Sequence, residues 1–196
     1  MYIDRILFPV QTLGPGNRIV VWTKGCTKHC PHCANPELWD ARGAKRVTVA
    51  DAAQIIRNLC RENRVEGITF TGGDPLEQPE ALLELLWLIR QDIKDILVYT
   101  GYTFEQLQLL LPEEDMQALQ QRVSVLIDGP YIDALNDGCA PLMGSSNQRI
   151  LFFDKELEPR YGQYLKEGRK IQNVLMGDQF ISVGIHSKKR DGYHEE

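Results

Sequence analysis

The sequence predicts an α/β fold in which mostly parallel strands alternate with covering helices. Parallel strands that are buried on both faces appear in a sequence as short, continuous apolar runs. In the helices between them, apolar residues recur every three to four positions. Right-handed crossovers between such strands give a partial or complete (β/α) barrel, or an open doubly wound sheet. The five apolar runs that predict strands lie at residues 19–22, 67–71, 96–99, 123–127 and 150–153.

Capping residues and prolines predict where the helices between these strands begin and end. Thr48, followed three residues later by an acid, predicts the N-cap of a helix that ends near residue 61. Pro79 suits the first position of a second helix, whose leucines cover most of its surface. Thr103 and Gln106 predict a capping box for a third helix, and Pro112 ends it before a short fourth helix over residues 113–121.

The last part of the chain is more charged and less periodic. We expect a hairpin there, with strands at residues 171–176 and 180–185, and a frayed end from Lys188 onward. Of the 196 residues, 43% are hydrophobic, which suffices for one core. We therefore predict a single domain over residues 1–196, in which 154–196 form a C-terminal extension whose role the sequence leaves open.

Composition limits the classes of function. A net charge of −5 argues against a nucleic-acid binder, which usually carries a basic face. No apolar run approaches the roughly 20 residues that span a bilayer, so we expect no membrane partner. Residues 1–5 lack the start of a secretory signal. Three of the five cysteines lie within eight residues, which favours metal binding over disulfides and predicts a reducing, cytoplasmic location.

The three clustered cysteines have the spacing C-x3-C-x2-C and follow the first predicted strand. They are Cys26, Cys30 and Cys33. One interpretation is a zinc site with His29 or His32 as the fourth ligand. Structural zinc sites usually join two separated ligand pairs, and no second cysteine pair follows here. The spacing favours a [4Fe-4S] cluster, in which three cysteines leave one iron open to a non-protein ligand.

The loops after the predicted strands hold the other unusual residues. In parallel α/β folds the carboxyl ends of the strands face one side, and that side holds the active site. The adjacent Gly72 and Gly73 allow a ligand to approach the backbone, and an ammonium group suits the carbonyls and Asp74. The loops predicted to meet on this rim are 25–33, 71–75, 100–102 and 128–130.

The cysteine motif followed by a Gly-Gly-Asp-Pro turn resembles the radical S-adenosylmethionine (SAM) superfamily. Further segments resemble the glycyl-radical-enzyme activases, in the branch that acts on anaerobic ribonucleotide reductase. The resemblance covers residues 10–153 and implies a partial (β/α) barrel of the radical SAM type. Its branch-specific segments are 14–18, 33–40, 71–76, 99–102, 127–129 and 144–149.

The resemblance implies a reaction and its cofactors. Cys26, Cys30 and Cys33 would hold three irons, and SAM would bind the fourth iron through its amino and carboxylate groups. One electron from the reduced cluster would cleave SAM into methionine and a 5′-deoxyadenosyl radical, which removes hydrogen from a glycine of the partner enzyme. The implied partners are an anaerobic ribonucleotide reductase and an electron donor such as flavodoxin or ferredoxin.

The resemblance also carries over a set of SAM-binding positions on the rim. In this reading the glycine turn orients the amino group, His32 stacks beside the adenine, and the polar segment near residue 147 lines the opening. Each position also has a plainer explanation as a solvated loop residue, a helix cap, a strand-end packing residue or a polar turn. The expected SAM-binding residues are His32, Asn35, Gly72, Gly73, Asp74, Tyr99, Asp128, Ser146, Asn147 and Gln148.

Other functions remain open from the sequence. A radical SAM enzyme that acts on a small molecule or a nucleotide would carry the same cysteine motif. A zinc-binding interaction module is the alternative outside enzymes. The isolated cysteines Cys60 and Cys139 argue against a second cluster, and we expect both to be structural. A short chain of this kind leaves its rim open, which suits a macromolecular substrate.

Overall fold

The computed structural model describes residues 1–138, 140–177 and 179–186. Three positions with sequence-based expectations lie outside these ranges: Cys139, which we expected to be structural, Asp178 in the expected hairpin turn, and the tail from residue 187. The elements, in chain order, are β1 (Ile3–Val10), β2 (Arg18–Thr23), α1 (Val49–Glu62), β3 (Gly67–Gly72), α2 (Pro79–Ile89), β4 (Ile96–Tyr99), α3 (Phe104–Leu110), α4 (Glu113–Arg122), β5 (Val125–Asp128), β6 (Arg149–Phe152), α5 (Glu158–Leu165), β7 (Ile171–Met176) and β8 (Gln179–Gly184).

Six strands form one sheet in the order in which they occur in the chain. The central strands β2, β3, β4 and β5 are parallel, which confirms the prediction of a mostly parallel α/β sheet. The fifth predicted strand departs from the parallel pattern, because β6 pairs antiparallel with β5. Within the described residues of the connection between them, one short helical turn occurs at Asp133–Leu135, and no crossover helix returns the chain to the starting edge. At the other edge β1, which the sequence did not predict, pairs antiparallel with β2.

The predicted helices form, with their predicted caps. The Thr48 hydroxyl accepts a hydrogen bond from the Asp51 amide at the start of α1, at 3.0 Å. Thr103 and Gln106 form a complete capping box at the start of α3. Helix α2 lies between α1 and α4 and buries five of its apolar side chains, including Leu82 and Ile89, against the sheet. These helices cover one face of the sheet and build the main core.

A buried polar network lies at the amino ends of the parallel strands, away from the cysteine loop. Arg18 is fully buried at the start of β2, and its Nη1 lies 2.9 Å from Oδ2 of Asp95. The Tyr161 hydroxyl donates to Oδ1 of Asp95 at 2.8 Å, and Nε of Arg18 donates to the Thr69 hydroxyl, also at 2.8 Å. Because Tyr161 belongs to α5, the network attaches that helix to the sheet.

The C-terminal extension packs against the face of the sheet that the main helices leave free. The predicted hairpin is confirmed as β7 and β8, which pair antiparallel. Val183 is buried against Leu7 and Val20, and its carbonyl accepts a hydrogen bond from the Thr12 hydroxyl at 3.0 Å. Helix α5 was not predicted; it buries Tyr161 and Tyr164. None of the helices in the described residues has the length and apolar character needed to cross a membrane.

Candidate functional site

The carboxyl ends of the parallel strands surround a cavity of about 890 Å³. Its walls come from the cysteine loop, the turn after β3, the loop after β4, parts of the segment that links β5 to β6, and residues 182–186 of the extension. The sequence predicted that the strand-end loops meet on one side, and they do. The contribution of the extension is new, because the sequence left the role of that segment open.

The cysteine loop is folded tightly back on itself. Its first residues are held by two backbone hydrogen bonds, from Gly25 to Leu38 at 2.8 Å and from Cys26 to Trp39 at 3.0 Å. His29 and His32 both have positive φ angles, of 45° and 56°, so the chain turns sharply twice between the first and last cysteine. The loop therefore brings all three predicted cysteines to the cavity, which each of them lines.

The three thiols fit the chemistry of an iron–sulfur cluster. Cys26, Cys30 and Cys33 are half-buried and free. Burial raises the pKa of the Cys26 and Cys30 thiols, while the charge of Lys28 lowers both to a smaller extent. No three cysteine, histidine or acidic side chains in the described part of the chain converge tightly enough to hold one metal ion. A cubane cluster takes each cysteine on a different iron, so thiols spread around one cavity fit it.

The Gly-Gly-Asp-Pro turn is built against the start of the cysteine loop. The Gly73 amide donates to the Thr23 carbonyl and the Asp74 amide to the Gly25 carbonyl, both at 2.8 Å. A Cβ atom on Gly73 would lie only 2.4 Å from the Gly25 carbonyl oxygen. Glycine is therefore required at position 73 because two loops of the chain approach each other closely there, and not only because a ligand must approach the backbone. Gly72 and Gly73 both line the cavity as well.

Asp74 joins two of the rim loops. Its carboxylate accepts hydrogen bonds from the Thr100 hydroxyl at 3.0 Å, from the Gly101 amide at 2.9 Å and from the Leu76 amide at 3.0 Å. Burial raises the pKa of this carboxyl, and the hydrogen bond from Gly101 opposes that effect. Both oxygens thus have partners within the protein, so Asp74 holds the turn after β3 against the loop after β4. A ligand's ammonium group would meet the backbone of the glycines more readily than this carboxylate.

Three of the residues that the sequence assigned to SAM, His32, Asn35 and Tyr99, line the cavity. The Asn35 side chain accepts a hydrogen bond from Nη2 of Arg5 at 3.1 Å, and its backbone amide donates to the Cys33 sulfur at 3.4 Å. Its side chain makes no capping hydrogen bond to the short helix that follows, which removes the plainer explanation as a helix cap. His32 is exposed at the cavity wall.

Three of the predicted residues do not line the cavity. Asp128 is fully buried and accepts hydrogen bonds from the Phe104 amide at 2.7 Å and from Nε of Arg149 at 3.0 Å, so its side chain points into the protein. Ser146 is exposed away from the cavity, and the Asn147 side chain donates to the Pro130 carbonyl at 2.7 Å. None of these three expected SAM contacts lies on the wall of the cavity.

Gln148 is the member of the polar segment that reaches the cavity. Its Oε1 accepts a hydrogen bond from the Gly144 amide at 2.7 Å, and its Nε2 donates to the Gly129 carbonyl at 3.0 Å. The side chain therefore fastens the loop after β5 to the loop before β6. Both glycines that it contacts also line the cavity, so Gln148 shapes this wall through the backbone.

Polar atoms without a partner mark the same cavity. Four buried side-chain polar atoms in the described residues have no hydrogen-bond partner. Three of them, Nε of Arg5, Nε1 of Trp39 and the hydroxyl of Tyr99, belong to side chains that line the cavity. Burial also raises the pKa of Tyr99 well above its usual value. Buried polar groups normally have partners, so these three side chains are exceptions in the wall of the cavity.

Arg5 and Trp39 are site residues that the sequence did not predict. Arg5 lies on the unpredicted strand β1, and its guanidinium also stacks over the Trp22 ring at 5.0 Å. A packing role is the simplest expectation for Trp39; its ring does contact His29, at 4.8 Å between centroids, but its indole nitrogen is one of the unpartnered atoms. The sequence signal that points to Trp39 is its position six residues after the last cysteine, in the segment that closes the loop.

Comparisons with known proteins agree with this geometry. A protein-family model described as a 4Fe-4S single cluster domain matches residues 12–151. The anaerobic ribonucleoside-triphosphate reductase-activating protein of Escherichia coli K12 is 35% identical over 150 residues, covering 73% of this chain and 94% of that protein. The protein of the same name from Enterobacteria phage T4 is 34% identical over 155 residues, covering 76% and 93%.

The similarity extends to a second type of activating enzyme. The pyruvate formate-lyase-activating enzyme of Clostridium pasteurianum is 31% identical over 151 residues, covering 74% of this chain and 58% of that protein. Both types of relative are named for activating another enzyme, and the region that the family model matches includes the cysteine loop, the glycine turn and the strands that carry them. The chain therefore belongs to the radical SAM glycyl-radical activases, in the family of the anaerobic ribonucleoside-triphosphate reductase-activating proteins.

Proposed function

We propose that the protein uses a [4Fe-4S] cluster and SAM to generate a glycyl radical on an anaerobic ribonucleotide reductase. The observation that carries the proposal is the cavity that three half-buried cysteines of one loop share with a glycine turn. The relatives named as activators of this reductase support the choice of partner. We assign strands β1 to β6 and their helices to a partial (β/α) barrel of the radical SAM type, which their sequential order supports.

In this proposal Cys26, Cys30 and Cys33 hold three irons of the cluster. When bound, the cluster supplies one electron to SAM, which yields methionine and a 5′-deoxyadenosyl radical that takes a hydrogen atom from the partner's glycine. The chain's own task is to keep the cofactors in place and water out, since the cofactors carry the difficult chemistry. The tight loop and its hydrogen bonds to Leu38 and Trp39 serve that task.

The remaining wall residues are assigned to SAM. We propose that backbone groups of Gly72 and Gly73 receive its amino group and that Asp74 keeps their turn in place. His32, Asn35 and Tyr99 lie on the cavity wall and are assigned to the rest of the molecule. Gln148 shapes the part of the cavity wall that the segment between β5 and β6 forms.

The partner and the electron donor approach from outside the cavity. The glycine must arrive on a polypeptide, and the C-terminal extension forms one wall of the opening through residues 182–186. We propose that this extension covers one side of the site, and that the whole chain acts as a single domain in the cytoplasm. A flavodoxin or a ferredoxin is the proposed electron donor.

The test uses anaerobically purified protein, SAM, a chemical reductant and the candidate reductase. The expected result is a glycyl doublet in electron paramagnetic resonance that requires both SAM and the reductase. Cys33→Ala should lose the cluster iron and the doublet, whereas Cys60→Ala, which changes a cysteine of α1 outside the cavity, should keep both. SAM cleavage without a radical on the reductase would overturn the choice of partner. A protein that contains zinc and no iron or sulfide would overturn the radical SAM reaction itself.

A further inference from the structure

One lysine of the cysteine loop is enclosed by charged and aromatic groups of two other loops. Lys28 lies between Cys26 and Cys30, and only 16% of its side chain is exposed. Its Nζ atom lies 3.0 Å from the centroid of the Tyr102 ring, 3.5 Å from Oε1 of Glu77 and 3.7 Å from Oδ2 of Asp74. A lysine placed only for solubility would extend into water, so this enclosure requires another explanation.

The carboxylate of Glu77 fixes the same loop from the other side. Its Oε1 accepts hydrogen bonds from the Thr27 amide at 3.2 Å, the Thr27 hydroxyl at 2.5 Å and the Tyr102 hydroxyl at 3.2 Å. Glu77 follows the glycine turn and Tyr102 follows β4. One positive and one negative side chain are thus held at defined positions beside the cysteine loop, and both are largely shielded from solvent.

Fixed charges of this kind act on a redox centre. Reduction adds an electron, so a nearby cation stabilises the reduced form of a cluster and a nearby carboxylate stabilises the oxidised form. Net charge, hydrogen bonds and solvent exposure set the reduction potentials of iron–sulfur clusters. Partly buried charges are also screened by salt much less than exposed ones. Lys28 and Glu77 therefore have opposite effects on any cluster that the loop holds.

We propose that Lys28 and Glu77 form a pair that sets the reduction potential of the cluster, in addition to holding the cysteine loop against the glycine turn and the loop after β4. The proposal rests on the proposed function, because it assumes a cluster on Cys26, Cys30 and Cys33. Neither residue needs to touch SAM or the partner for this role. Both are tuning and positioning residues rather than catalytic ones.

The test measures the midpoint potential of the reconstituted full-length protein in the absence of SAM and of any partner. Lys28→Met should shift the potential to more negative values, and Glu77→Gln should shift it to more positive values. Lys28→Arg should stay close to the wild-type potential, because it keeps the charge. The matched control is Lys45→Met, which removes an equal charge from an exposed position outside the cavity and should cause no shift.

Opposite signs separate an electrostatic role from a structural one. If the two residues only held the loop in place, Lys28→Met and Glu77→Gln would loosen it alike and would shift the potential in the same direction, or leave it unchanged. Either result would overturn the proposal. The double variant should return towards the wild-type potential, and a failure to do so would also count against it. Iron and sulfide content of each variant shows whether it holds a full cluster.

The controls separate this proposal from the function on which it rests. A wild-type protein without iron and sulfide overturns both. A wild-type protein that binds a cluster and cleaves SAM, but whose potential is indifferent to Lys28 and Glu77, overturns only the tuning pair. A variant that fails to hold a cluster is replaced by a second neutral substitution at the same position, Lys28→Gln or Glu77→Ala, with the same expected sign.

Discussion

Replacing Gly73 by alanine tests the packing that places the glycine turn beside the cysteine loop. The backbone at Gly73 lies outside the left-handed region, so alanine meets no dihedral penalty there. Its new Cβ would lie 2.4 Å from the Gly25 carbonyl oxygen, whereas ordinary contact begins at 3.4 Å. The two loops must therefore separate by about 1 Å, which also breaks the 2.8 Å hydrogen bond from the Asp74 amide to that carbonyl.

The magnitude follows from these two losses. Overpacking costs about 1–3 kcal/mol and a lost hydrogen bond about 1 kcal/mol, so we expect Gly73→Ala to destabilise the protein by about 2–4 kcal/mol. A displacement of about 1 Å near reacting groups lowers a rate by about 100-fold, and we expect a loss of that order in SAM cleavage. Urea denaturation of the metal-free protein and the yield of 5′-deoxyadenosine measure the two effects.

A second glycine provides the control. A Cβ atom added to Gly162 in α5 would have no neighbouring atom within 4 Å, so Gly162→Ala should leave SAM cleavage unchanged and raise stability by about 0.5–1 kcal/mol. Both variants add the same methyl group to the chain. If Gly73→Ala unfolded at the wild-type urea concentration and cleaved SAM at the wild-type rate, the loop contact described above would not be needed for the site, and the reasoning would be refuted.

Three further predictions concern charges away from the cavity. Arg18→Met should cost about 3–5 kcal/mol in urea denaturation, because it leaves the buried Asp95 without its closer cation, with Arg160 still 3.9 Å away; a loss below about 1 kcal/mol would contradict this. Tyr161→Phe removes one donor to the same carboxylate and should cost about 1–3 kcal/mol, and an unchanged midpoint would show that the bond is not needed. Arg149 lowers the pKa of Glu105 from 4.5 to about 2. The loss of stability caused by Glu105→Gln should therefore be complete above pH 4.5 and should vanish as the pH falls towards 2. A loss of stability that is independent of pH would refute the ion pair.

Local signals were enough to predict the centre of the fold. The parallel strands are continuous apolar runs, and the caps at Thr48 and Thr103 are readable in a few residues. The edge strand β1 was missed because it has a sheet neighbour on one side only and mixes charged with apolar residues. Helix α5 was missed because it is short, includes a glycine, and is held by the tertiary contacts of Tyr161 and Tyr164.

The site residues that belong to short sequence motifs could be predicted from their spacing along the chain. The three cysteines and the two glycines occur within short motifs, and the structure brings both motifs to one cavity. Asp128 was not predictable in the same way. A position at a strand end does not tell which way the side chain points, and its partner Arg149 lies 21 residues later on an antiparallel strand. The contribution of Arg5 likewise depends on how β1 pairs with β2.

The attachment of α5 to the buried Arg18 and Asp95 pair has a consequence for how the chain unfolds. Helix α5 lies beyond the region that the family model matches, yet its Tyr161 completes the hydrogen bonding of a carboxylate in the interior of that region. The two parts share one buried network, so neither can lose its structure without exposing charge in the other. The extension and the six-stranded sheet should therefore melt together in a single cooperative transition, rather than as a stable domain with a separately folding tail.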